Sequence, residues 1–489
     1  MTIVESLLEY VKTTPDKIAL TDGKNAMTYR QLCGGIFGAV DILKNRYRLV
    51  SGDIVVLAAN KQLSFVSIYF ACHLLRIIVI PIAPDTNINR FSLIYRKTEP
   101  RLVVGFKNEI IKCPITDICE FDGITADVPE TVIFPDASQI ADIIFTTGTT
   151  GEPKGVQLSQ KNIASAALNI NTFIRNSQDD VEMLALPISH SFGLGRMRCA
   201  LSNGQTLVLM GSFANMKKFF RLMEEFHVTG FGMVSASWAM IRKLSGLRIS
   251  EYADQLNYIE IGSAPMPLEE KKILIRILPR TRICMHYGLT EASRSAFMEF
   301  HEDEERLDTI GKQSPNMNIE IRDEFGKIVP YGTEGEICVC GDAVTPGYYK
   351  LPEENKNAFW GEYFRTGDWG ICNFDGYIRL LSRKKEMINV GGKKVSPMEV
   401  EAQLLKLDFV EDCACVAATD PAGILGEVVK AFIVTNQPEK VNKIIINREI
   451  GSQLESYKLP QIYEVIDEIP KTSSGKVQRL LLKHKQSEN

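Results

Sequence analysis

The sequence lacks the features that would place the protein in a membrane, on nucleic acid or around a structural metal. Its formal net charge is −4 over 489 residues, so charge gives no electrostatic case for nucleic acid. No apolar run is long enough to cross a bilayer, and residues 1–20 carry charges throughout, so neither a membrane span nor a secretory signal is expected. The eleven scattered cysteines lack companion histidines at zinc-like spacing, and we expect thiols in a reducing cytoplasm.

What the sequence does contain is an alternation of short apolar runs and helical patterns over most of its length. The runs typical of strands lie at residues 55–57, 79–81, 102–104, 143–145, 184–186, 207–209, 258–261 and 283–285. A helix is predicted over about 162–174. This alternation predicts an α/β fold with parallel sheets covered by helices, and the chain length predicts two or more domains.

A Gly/Thr-rich stretch follows the strand predicted at residues 143–145. It reads Thr146-Thr147-Gly148-Thr149-Thr150-Gly151-Glu152-Pro153-Lys154-Gly155. Glycines permit positive φ angles, so such a loop can turn several N–H groups and hydroxyls toward one phosphate, and Lys154 adds a positive charge. The G-x-x-x-x-G-K-[ST] spacing of the Walker A loop is absent. The alternative interpretation is a solvated turn.

This stretch resembles the phosphate loop of the AMP-forming acyl-adenylate enzymes, which include acyl-CoA and aryl-CoA ligases, peptide-synthetase adenylation domains and luciferases. The resemblance extends over nearly the whole chain and favours the acid–CoA ligase branch. It implies a large N-terminal domain (1–384) of helix-covered, mostly parallel sheets and a small mobile α+β C-terminal cap (385–489). It also implies that ATP is bound by Thr146, Thr147, Gly148, Thr149, Thr150, Gly151 and Lys154.

The run Tyr287-Gly288-Leu289-Thr290-Glu291 matches a second segment of that family. The resemblance implies that Tyr287 stacks on adenine beside Gly288, that Thr290 contacts the α-phosphate and that Glu291 helps to hold Mg²⁺. One carboxylate suits magnesium, which keeps waters and phosphate oxygens as its other ligands. The alternative is a strand-to-loop turn with an incidental glutamate.

Two further segments resemble nucleotide contacts. Asp368 follows Tyr363-Phe364-Arg365-Thr366-Gly367 and would accept hydrogen bonds from the ribose hydroxyls, for which an acceptor-only carboxylate is suited. Arg383 matches the second ribose contact. The segment Gly262-Ser263-Ala264-Pro265 matches one that borders adenine and the acid pocket. A plain turn is the alternative for each segment.

The C-terminal part carries a lysine motif and a glycine segment. Lys476 ends the run Pro470-Lys471-Thr472-Ser473-Ser474-Gly475-Lys476, and the resemblance implies that it bridges the carboxylate and the α-phosphate during adenylation. Lys385 marks the implied hinge, and Gly391 and Gly392 match the part that lines the pantetheine tunnel once the cap has rotated. The alternative for Lys476 is a solvated lysine in a polar tail.

His190, Ser191, Phe192 and Gly195 match the acid pocket of acid–CoA ligases. His190 is expected to gate or orient the acid rather than transfer a proton, because a carboxylate is already ionised at pH 7. Ser191 stands where amino-acid enzymes carry an aspartate, and an ammonium buried without a counter-charge is costly, so an α-amino acid is disfavoured. Gly195 predicts room for a longer or flatter acid.

Two arginines, Arg196 and Arg198, lie in the helix that usually borders this apolar pocket. We expect them to face solvent. The alternative is that one of them meets a second acidic group on the substrate.

The resemblance implies a ligase that uses ATP and Mg²⁺ to convert a fatty or aryl acid to an acyl-adenylate, releases pyrophosphate and passes the acyl group to a pantetheine thiol. CoA is the favoured acceptor, and the alternatives are an acyl-carrier-protein ligase or a stand-alone adenylation enzyme. A luciferase-type oxygenase shares the same motifs. A non-catalytic nucleotide-binding regulatory protein is a different class, which the presence of Lys476, Glu291 and Asp368 disfavours. The expected partners are a small carboxylic acid and the thiol carrier, without nucleic acid or a membrane span.

Overall fold

The computed structural model describes residues 1–59, 62–146, 153–472 and 475–484. The chain divides into two compact units. The large unit contains Met1–Ile319 and Val339–Phe364, and the small unit contains Glu320–Cys338 and Arg365–Asn489. The predicted fold class, α/β with a large sheet-rich N-terminal part and a smaller C-terminal part, is confirmed. The predicted domain boundary between residues 384 and 385 stays a prediction.

The helices and strands follow in chain order. The α-helices of the described residues are α1 (Ile3–Thr13), α2 (Tyr29–Asp41), α3 (Leu63–Leu74), α4 (Ile88–Thr98), α5 (Gln160–Ile174), α6 (Ser191–Ser202), α7 (Met216–Glu225), α8 (Ser235–Ser245), α9 (Leu268–Ile277), α10 (Pro352–Ala358), α11 (Pro397–Leu404), α12 (Lys443–Ile450) and α13 (Arg479–His484). The strands of the same ranges are β1 (Ile18–Thr21), β2 (Ala26–Thr28), β3 (Ile54–Ala58), β4 (Ile78–Ile82), β5 (Leu102–Val104), β6 (Ile115–Thr116), β7 (Ile140–Thr146), β8 (Lys154–Ser159), β9 (Val181–Leu184), β10 (Thr206–Leu209), β11 (Gly230–Val234), β12 (Tyr258–Gly262), β13 (Arg282–Tyr287), β14 (Ala296–Glu299), β15 (Lys312–Gln313), β16 (Met317–Arg322), β17 (Glu334–Gly341), β18 (Gly347–Tyr348), β19 (Phe359–Trp360), β20 (Tyr363–Cys372), β21 (Ile378–Arg383), β22 (Ile388–Val390), β23 (Lys393–Val395), β24 (Asp412–Thr419), β25 (Glu427–Val434) and β26 (Ile462–Val465). Within the described ranges, none of the helices has the length and apolar character needed to traverse a bilayer.

Two mostly parallel sheets form the large unit. In the described residues the first sheet has the order β15-β14-β13-β12-β11-β9-β10-β1-β2, and its neighbours from β13 to β1 are parallel. The second sheet has the order β18-β8-β7-β4-β3-β5-β6, with parallel neighbours from β7 to β6. The strands β9, β12 and β13 therefore open their carboxyl ends at the same edge of the first sheet, which is where open α/β sheets bind ligands.

Burial follows the apolar runs of the sequence. All five residues of β3 are buried, as expected for a strand that is covered on both faces. Helix α3 is buried over residues 64–73 and so lies in the interior of the unit. One buried cluster joins residues of both sheets and of helices α1, α2, α3, α5 and α6. These helices therefore belong to the same core as the two sheets.

The small unit has an α+β character. Its sheet has the order β24-β25-β26, and helices α11 and α13 both pack against β24. The hairpin β22–β23 precedes this sheet, and strands β20 and β21 form an antiparallel pair. Buried apolar clusters that include β24 and β25 residues form the core of this unit.

The predicted strands agree with the structure at all but one position. The run at 184–186 was predicted as a strand, but β9 ends at Leu184, and Ala185 and Leu186 lead toward α6 instead. Helix α5 begins at Gln160, two residues before the predicted start. The cause is a capping box, in which Ser159 Oγ accepts from the Asn162 amide at 3.1 Å and Asn162 Oδ1 accepts from the Ser159 amide at 2.8 Å.

The prediction that Arg196 and Arg198 face solvent is wrong. Arg196 is fully buried and Arg198 is 5% exposed. Arg198 Nε donates to the Tyr69 hydroxyl at 2.9 Å and its Nη2 pairs with Asp142 on β7. Two guanidinium groups can lie in this core because carboxylates are buried beside them, which offsets part of the cost of removing the charges from water.

We expect Arg198→Met to lower the free energy of unfolding of the large unit by about 3 kcal/mol, because the buried Asp142 loses its guanidinium partner and keeps only Tyr69 and His73. Urea unfolding monitored by intrinsic fluorescence measures this loss. The double variant Arg198→Met/Asp142→Asn should recover most of it, because no charge is then left unpaired. Equal unfolding midpoints for Arg198→Met and the parent would show that the pair does not hold the core.

Candidate active site

The two ends of the Gly/Thr-rich loop lie opposite each other on adjacent strands. Thr146 ends β7 and Lys154 begins β8, and the two residues are directly paired in the antiparallel register. Thr146 Oγ1 donates to the Lys154 carbonyl oxygen at 3.4 Å. The predicted phosphate contacts Thr147, Gly148, Thr149, Thr150 and Gly151 lie outside the described residues. The strands thus fix both ends of the loop in the second sheet.

Lys154 and Glu291 meet at one tyrosine. Lys154 Nζ lies 5.2 Å from the centre of the Tyr348 ring and 2.5 Å from Glu354 Oε2. The Tyr348 hydroxyl donates to Glu291 Oε1 at 2.9 Å. The predicted phosphate lysine comes from the second sheet and the predicted metal carboxylate follows β13 of the first, so Tyr348 connects the two. The sequence assigns no chemical role to Tyr348 or Glu354, since neither belongs to a motif that acts on substrates.

The loop after β13 brings Thr290 to the start of α6. The Thr290 and Ser191 hydroxyl oxygens lie 3.5 Å apart. Tyr287 is buried at the end of β13. Gly288 is required by packing, because a Cβ there would lie 2.5 Å from the Arg294 amide nitrogen. The predicted α-phosphate contact and a predicted acid-pocket residue are therefore neighbours in the large unit.

The segment Gly262-Ser263-Ala264-Pro265 follows the carboxyl end of β12. A Cβ on Gly262 would lie 2.1 Å from the His286 ring, so only glycine fits beside this histidine. Ser263 has φ +72°, and Ser235 Oγ donates to the Ala264 carbonyl oxygen at 3.0 Å. The segment thus turns sharply away from the sheet edge, next to the strand that ends at Tyr287.

His190 lies immediately before α6 and is exposed as a residue. The protein around its ring removes part of the water that would solvate an imidazolium, and the Arg90 cation disfavours a second positive charge. Both effects lower the pKa of His190, so the ring is neutral at pH 7. A neutral imidazole at a helix start can orient a carboxylate by hydrogen bonding without a change of charge.

The remaining acid-pocket residues lie on two faces of α6. Ser191 and Gly195 line a narrow cavity together with Thr290 and Arg294. The other lining residues are Leu158, Asn162, Ile163, Ala166, Ala167, Ile170, Arg198, Ser293 and Ala343. Phe192 instead faces the first sheet, where its ring centre lies 4.7 Å from that of His286.

A buried charge network adjoins Phe192. We call the network formed by Glu182, Arg196, Glu260, His286 and Arg294 the arginine–glutamate network. Arg196 Nε donates to Glu182 Oε1 at 2.6 Å and its Nη1 to Glu260 Oε2 at 3.1 Å. Arg294 Nε donates to Glu260 Oε1 at 3.0 Å. The arginines do not reach solvent, so these carboxylates provide their counter-charges.

The network sets the ionisation of its members. Burial by itself would raise the pKa of Glu260, but Arg294, His286 and Arg196 hold that pKa below its ordinary value. Burial lowers the pKa of His286, although its Nδ1 lies 2.7 Å from Glu260 Oε1. Burial also raises the pKa of Glu182, and the neighbouring Arg196 opposes that rise.

In the small unit, Asp368 and Arg383 lie opposite each other on β20 and β21. Arg383 Nε lies 2.8 Å from the Asp368 Oδ1 atom. The Asp368 amide donates to Thr366 Oγ1 at 3.0 Å. The two predicted ribose contacts are thus brought together, although they are 15 positions apart in the sequence.

The hinge and tunnel residues occupy a short turn and a hairpin of the small unit. Lys385 lies in a 3₁₀ turn, Lys384–Glu386. Gly391 and Gly392 form the two-residue connection between β22 and β23, with φ angles of +56° and +85°. Two consecutive positive φ values match a type I′ hairpin turn, which glycine adopts without steric cost.

Lys476 is exposed at the end of a tight turn. The Thr472 amide donates to the Lys476 carbonyl oxygen at 2.8 Å, and the Lys476 amide donates to Thr472 Oγ1 at 3.1 Å. Arg479, three residues further on, anchors this turn, because its Nη1 donates to Glu386 at 2.9 Å and its Nη2 to Glu401 at 2.7 Å. Arg479 is a positioning residue that the motif analysis did not identify.

Glu291 is the one residue predicted from the sequence to bind a metal ion. In the part of the chain that the structure describes, no three His, Cys, Asp or Glu side chains are grouped to hold a metal ion. Glu291 lies beside Tyr348 and follows a sheet edge where a polyphosphate can approach. This arrangement fits a Mg²⁺ ion that takes one protein carboxylate and completes its shell with nucleotide oxygens and waters.

Comparison with known families identifies the class of enzyme to which the chain belongs. Residues 7–349 match the family model of AMP-binding enzymes, and residues 399–476 match the model of their C-terminal domain. The chain belongs to the AMP-binding enzyme family. The predicted class, an AMP-forming ligase that activates an acid with ATP and Mg²⁺ and passes it to CoA, is confirmed.

Relatives match over nearly their whole length. The oxalate–CoA ligase of Arabidopsis thaliana is 28% identical, and the alignment covers 98% of this chain and 98% of the relative. The 2-succinylbenzoate–CoA ligase of Bacillus licheniformis is 28% identical over 97% of this chain and 98% of the relative. The crystal structure of ATP-bound MatB from Rhodopseudomonas palustris shares the fold, with a TM-score of 0.90, 24% identity, and coverage of 100% and 99% of the two chains.

We expect Tyr348→Phe to raise the Mg²⁺ concentration needed for half-maximal adenylation by about tenfold, because the substitution removes the hydrogen bond that orients Glu291. The phenylalanine ring still lies beside Lys154, so that contact is unchanged. Pyrophosphate exchange at increasing Mg²⁺ measures this change. Tyr331→Phe is the matched control, because Tyr331 is 59% exposed and lies in the small unit. A Mg²⁺ curve that stays the same in both variants would argue against Glu291 as the metal ligand.

Proposed function

We propose that this ligase activates a fatty or aryl carboxylic acid without an α-amino group, and that the predicted motif residues carry its two half-reactions. The observation that supports this most directly is the meeting of Lys154 and Glu291 at Tyr348. Adenylation brings a carboxylate anion onto a polyphosphate. The site therefore needs a cation, a metal ligand and N–H donors in place before the reaction.

In the first half-reaction, a carboxylate oxygen of the acid attacks the α-phosphorus of ATP, and the bond to the β-phosphate breaks to release pyrophosphate. Thr146 and Lys154 contact the phosphates, and Thr290 binds the α-phosphate. Lys476 bridges the attacking carboxylate and the α-phosphate. Glu291 would help to hold Mg²⁺, and that ion would supply positive charge to the leaving pyrophosphate.

The proposed adenine and ribose contacts all lie in the predicted large domain, residues 1–384. Tyr287 stacks on adenine, and the segment Gly262-Ser263-Ala264-Pro265 borders it. Asp368 accepts hydrogen bonds from the ribose hydroxyls. Its ion pair with Arg383 holds the carboxylate in position for this contact. Alignment of the two substrates in this way supplies several orders of magnitude in rate.

In the second half-reaction, the thiol sulfur attacks the acyl carbon and AMP leaves. We propose that residues 385–489 rotate as a cap about Lys385, so that the Gly391–Gly392 turn replaces Lys476 at the acyl-adenylate. Arg479 supports this proposal, since it joins the Lys476 turn to Glu386, the residue after Lys385. A movement at the hinge would thus be transmitted to the catalytic lysine.

The carboxylates described near the acid pocket are already paired with arginines, so they cannot serve as the counter-charge of an α-ammonium group. Glu182 and Glu260 are both engaged by arginines, and Ser191 occupies the position where an aspartate would pair with an amino group. An ammonium brought here would remain buried and unpaired, which is costly. This supports an acid without an α-amino group.

CoA is the proposed acceptor, with an acyl-carrier protein as the alternative. Lys393 and Lys394 on β23 are exposed and suit either the CoA phosphates or an acidic carrier surface. We place the reaction in the cytoplasm, because all eleven cysteines are free thiols, as expected in a reducing compartment. The chain offers no net positive charge for nucleic acid.

The purified protein should exchange labelled pyrophosphate into ATP only when Mg²⁺ and a suitable acid are both present. A broad panel of aliphatic and aromatic acids identifies the substrate, and leucine and phenylalanine serve as α-amino acid controls. If nucleotide binds but no acid supports exchange, the protein is a nucleotide-binding regulator instead.

Lys476→Ala should slow adenylate formation by about 10²-fold or more, the scale for loss of one charge-stabilising group, and should still transfer a supplied acyl-adenylate to CoA. Gly392→Leu should form adenylate but stall before the thioester. Single-turnover kinetics of each half-reaction separates the two. Lys440→Ala is the control for an exposed lysine, and Gly376→Leu is the control for strain, since Gly376 also has φ +84° and open space around it. Equal losses of both steps in each variant would refute this division.

A further inference from the structure

The guanidinium of Arg294 occupies the space beside Gly195. A Cβ placed on Gly195 would lie 2.8 Å from Arg294 Nη1 and 3.3 Å from its Cζ. The prediction that Gly195 leaves room for a longer or flatter acid is therefore wrong. The missing side chain of Gly195 accommodates an arginine of the protein itself.

Arg294 is held firmly in this place. Its Nε donates to Glu260, its Nη1 donates to Ser293 Oγ at 3.1 Å, and its Cζ lies 4.9 Å from the centre of the Phe192 ring. The residue also has φ +50°, a conformation that costs energy for a residue with a side chain and that recurs at functional sites. The side chain is only 3% exposed, so it forms a fixed wall.

The distance from the phosphate end of the site to this wall is short. Ser191 lies 3.5 Å from Thr290, the residue proposed to bind the α-phosphate, and the reacting carboxylate must lie near that phosphate. Gly195 is one helical turn further along α6, about 6 Å away at 1.5 Å per residue. A chain of roughly four carbon atoms spans this distance at about 1.5 Å per bond.

A narrow cavity follows the same path. Its lining includes the Ser191–Thr290 pair and also Gly195 and Arg294, and helix α5 supplies an apolar side. Its volume of about 20 Å³ is room for about one water molecule, so the cavity can accept a distal hydroxyl or oxo group beside Arg294 and excludes a long or flat acid.

The wall is polar but not charged overall. Within the described residues, Arg196 and Arg294 are balanced by Glu182 and Glu260. Three of the five N–H groups of Arg294 donate to protein acceptors there, which leaves two for a substrate oxygen. A neutral oxygen can accept from them without adding a charge, whereas a second carboxylate would disturb the balance.

We infer that Arg294 determines the acid specificity of this enzyme and that its substrate is a short acid of about three to six carbons with a hydroxyl or oxo group at the far end from the reacting carboxylate. This inference rests on the acyl-adenylate function proposed above. Of the fatty and aryl acids proposed there, it keeps only short-chain acids and excludes aryl acids, and it assigns the recognition of the distal oxygen to one residue.

The test is acid-dependent pyrophosphate exchange with straight-chain acids of two to twelve carbons, their terminal hydroxy and oxo forms, the matching dicarboxylic acids, and benzoate. We expect the highest kcat/KM for a hydroxy or oxo acid of three to six carbons. Arg294→Ala should lower kcat/KM for that acid at least tenfold and raise it at least tenfold for acids of eight carbons or more.

Gly195→Ala tests the same wall without removing a charge. Its methyl group would press on the far end of Arg294 and should reduce kcat/KM for the longest accepted acid at least tenfold, with the KM for ATP unchanged. Gly34→Ala is the matched control, because a Cβ there meets its nearest neighbour at 3.5 Å, an ordinary contact. This variant carries the test if Arg294→Ala does not fold.

The outcomes are distinct. Equal activity on dodecanoate or benzoate and on short acids, with no change of preference in either variant, overturns the inference and leaves the proposed function intact. A preference for dicarboxylic acids overturns the part of the inference that makes the distal group a neutral hydroxyl or oxo group. Exchange with no acid at all, while ATP still binds, overturns the proposed function itself.

Discussion

The geometry of the large unit around its site depends on one buried carboxylate, that of Glu260 in β12. Its two oxygens accept from Arg196 and Arg294, and His286 lies 2.7 Å from one of them. Coulomb attraction is strong in a medium of low dielectric constant, but a buried charge without partners is costly. Glu260 therefore holds α6, the end of β13 and the loop after it in one arrangement.

The functional residues follow from that arrangement. Phe192 and Gly195 lie on the helix that Arg196 ties to Glu260, and Thr290 lies in the loop that Arg294 ties to the same carboxylate. The site is thus positioned by buried side chains, of which only Arg294 is proposed to touch a substrate. Such supporting groups determine the distance between the reacting atoms. Small displacements of these groups therefore lower the reaction rate strongly.

The strands could be predicted from the sequence because their cause is local. Residues 55–57 and 102–104 are apolar on both faces, and this pattern needs no knowledge of partners. The site residues in motifs could also be placed, since a glycine-rich loop or an isolated carboxylate has few chemical uses at a strand end. The start of α5 was missed by two residues, because the cap at Ser159 decided it.

The supporting residues could not be predicted, for a physical reason. Arg196 has its partners 14 and 64 positions away, and Tyr348 is 57 positions from Glu291. A helix pattern assigns an arginine to solvent because burial of a charge is costly, and it contains no information on a distant carboxylate that removes the cost. Sequence motifs therefore predicted groups that act on substrates and did not predict the buried groups that hold those side chains in place.

Arginine and lysine consequently have different tasks in this enzyme. The buried arginines are balanced by carboxylates in a fixed planar geometry, so they shape the site and add no net charge. Lys154 pairs instead with Glu354, a side chain that is 51% exposed, and an ion pair open to solvent is weak. A phosphate can replace that partner at small cost. In the proposed mechanism Lys154 can thus meet a phosphate and leave it again, whereas Arg196 and Arg294 keep their charges in the core.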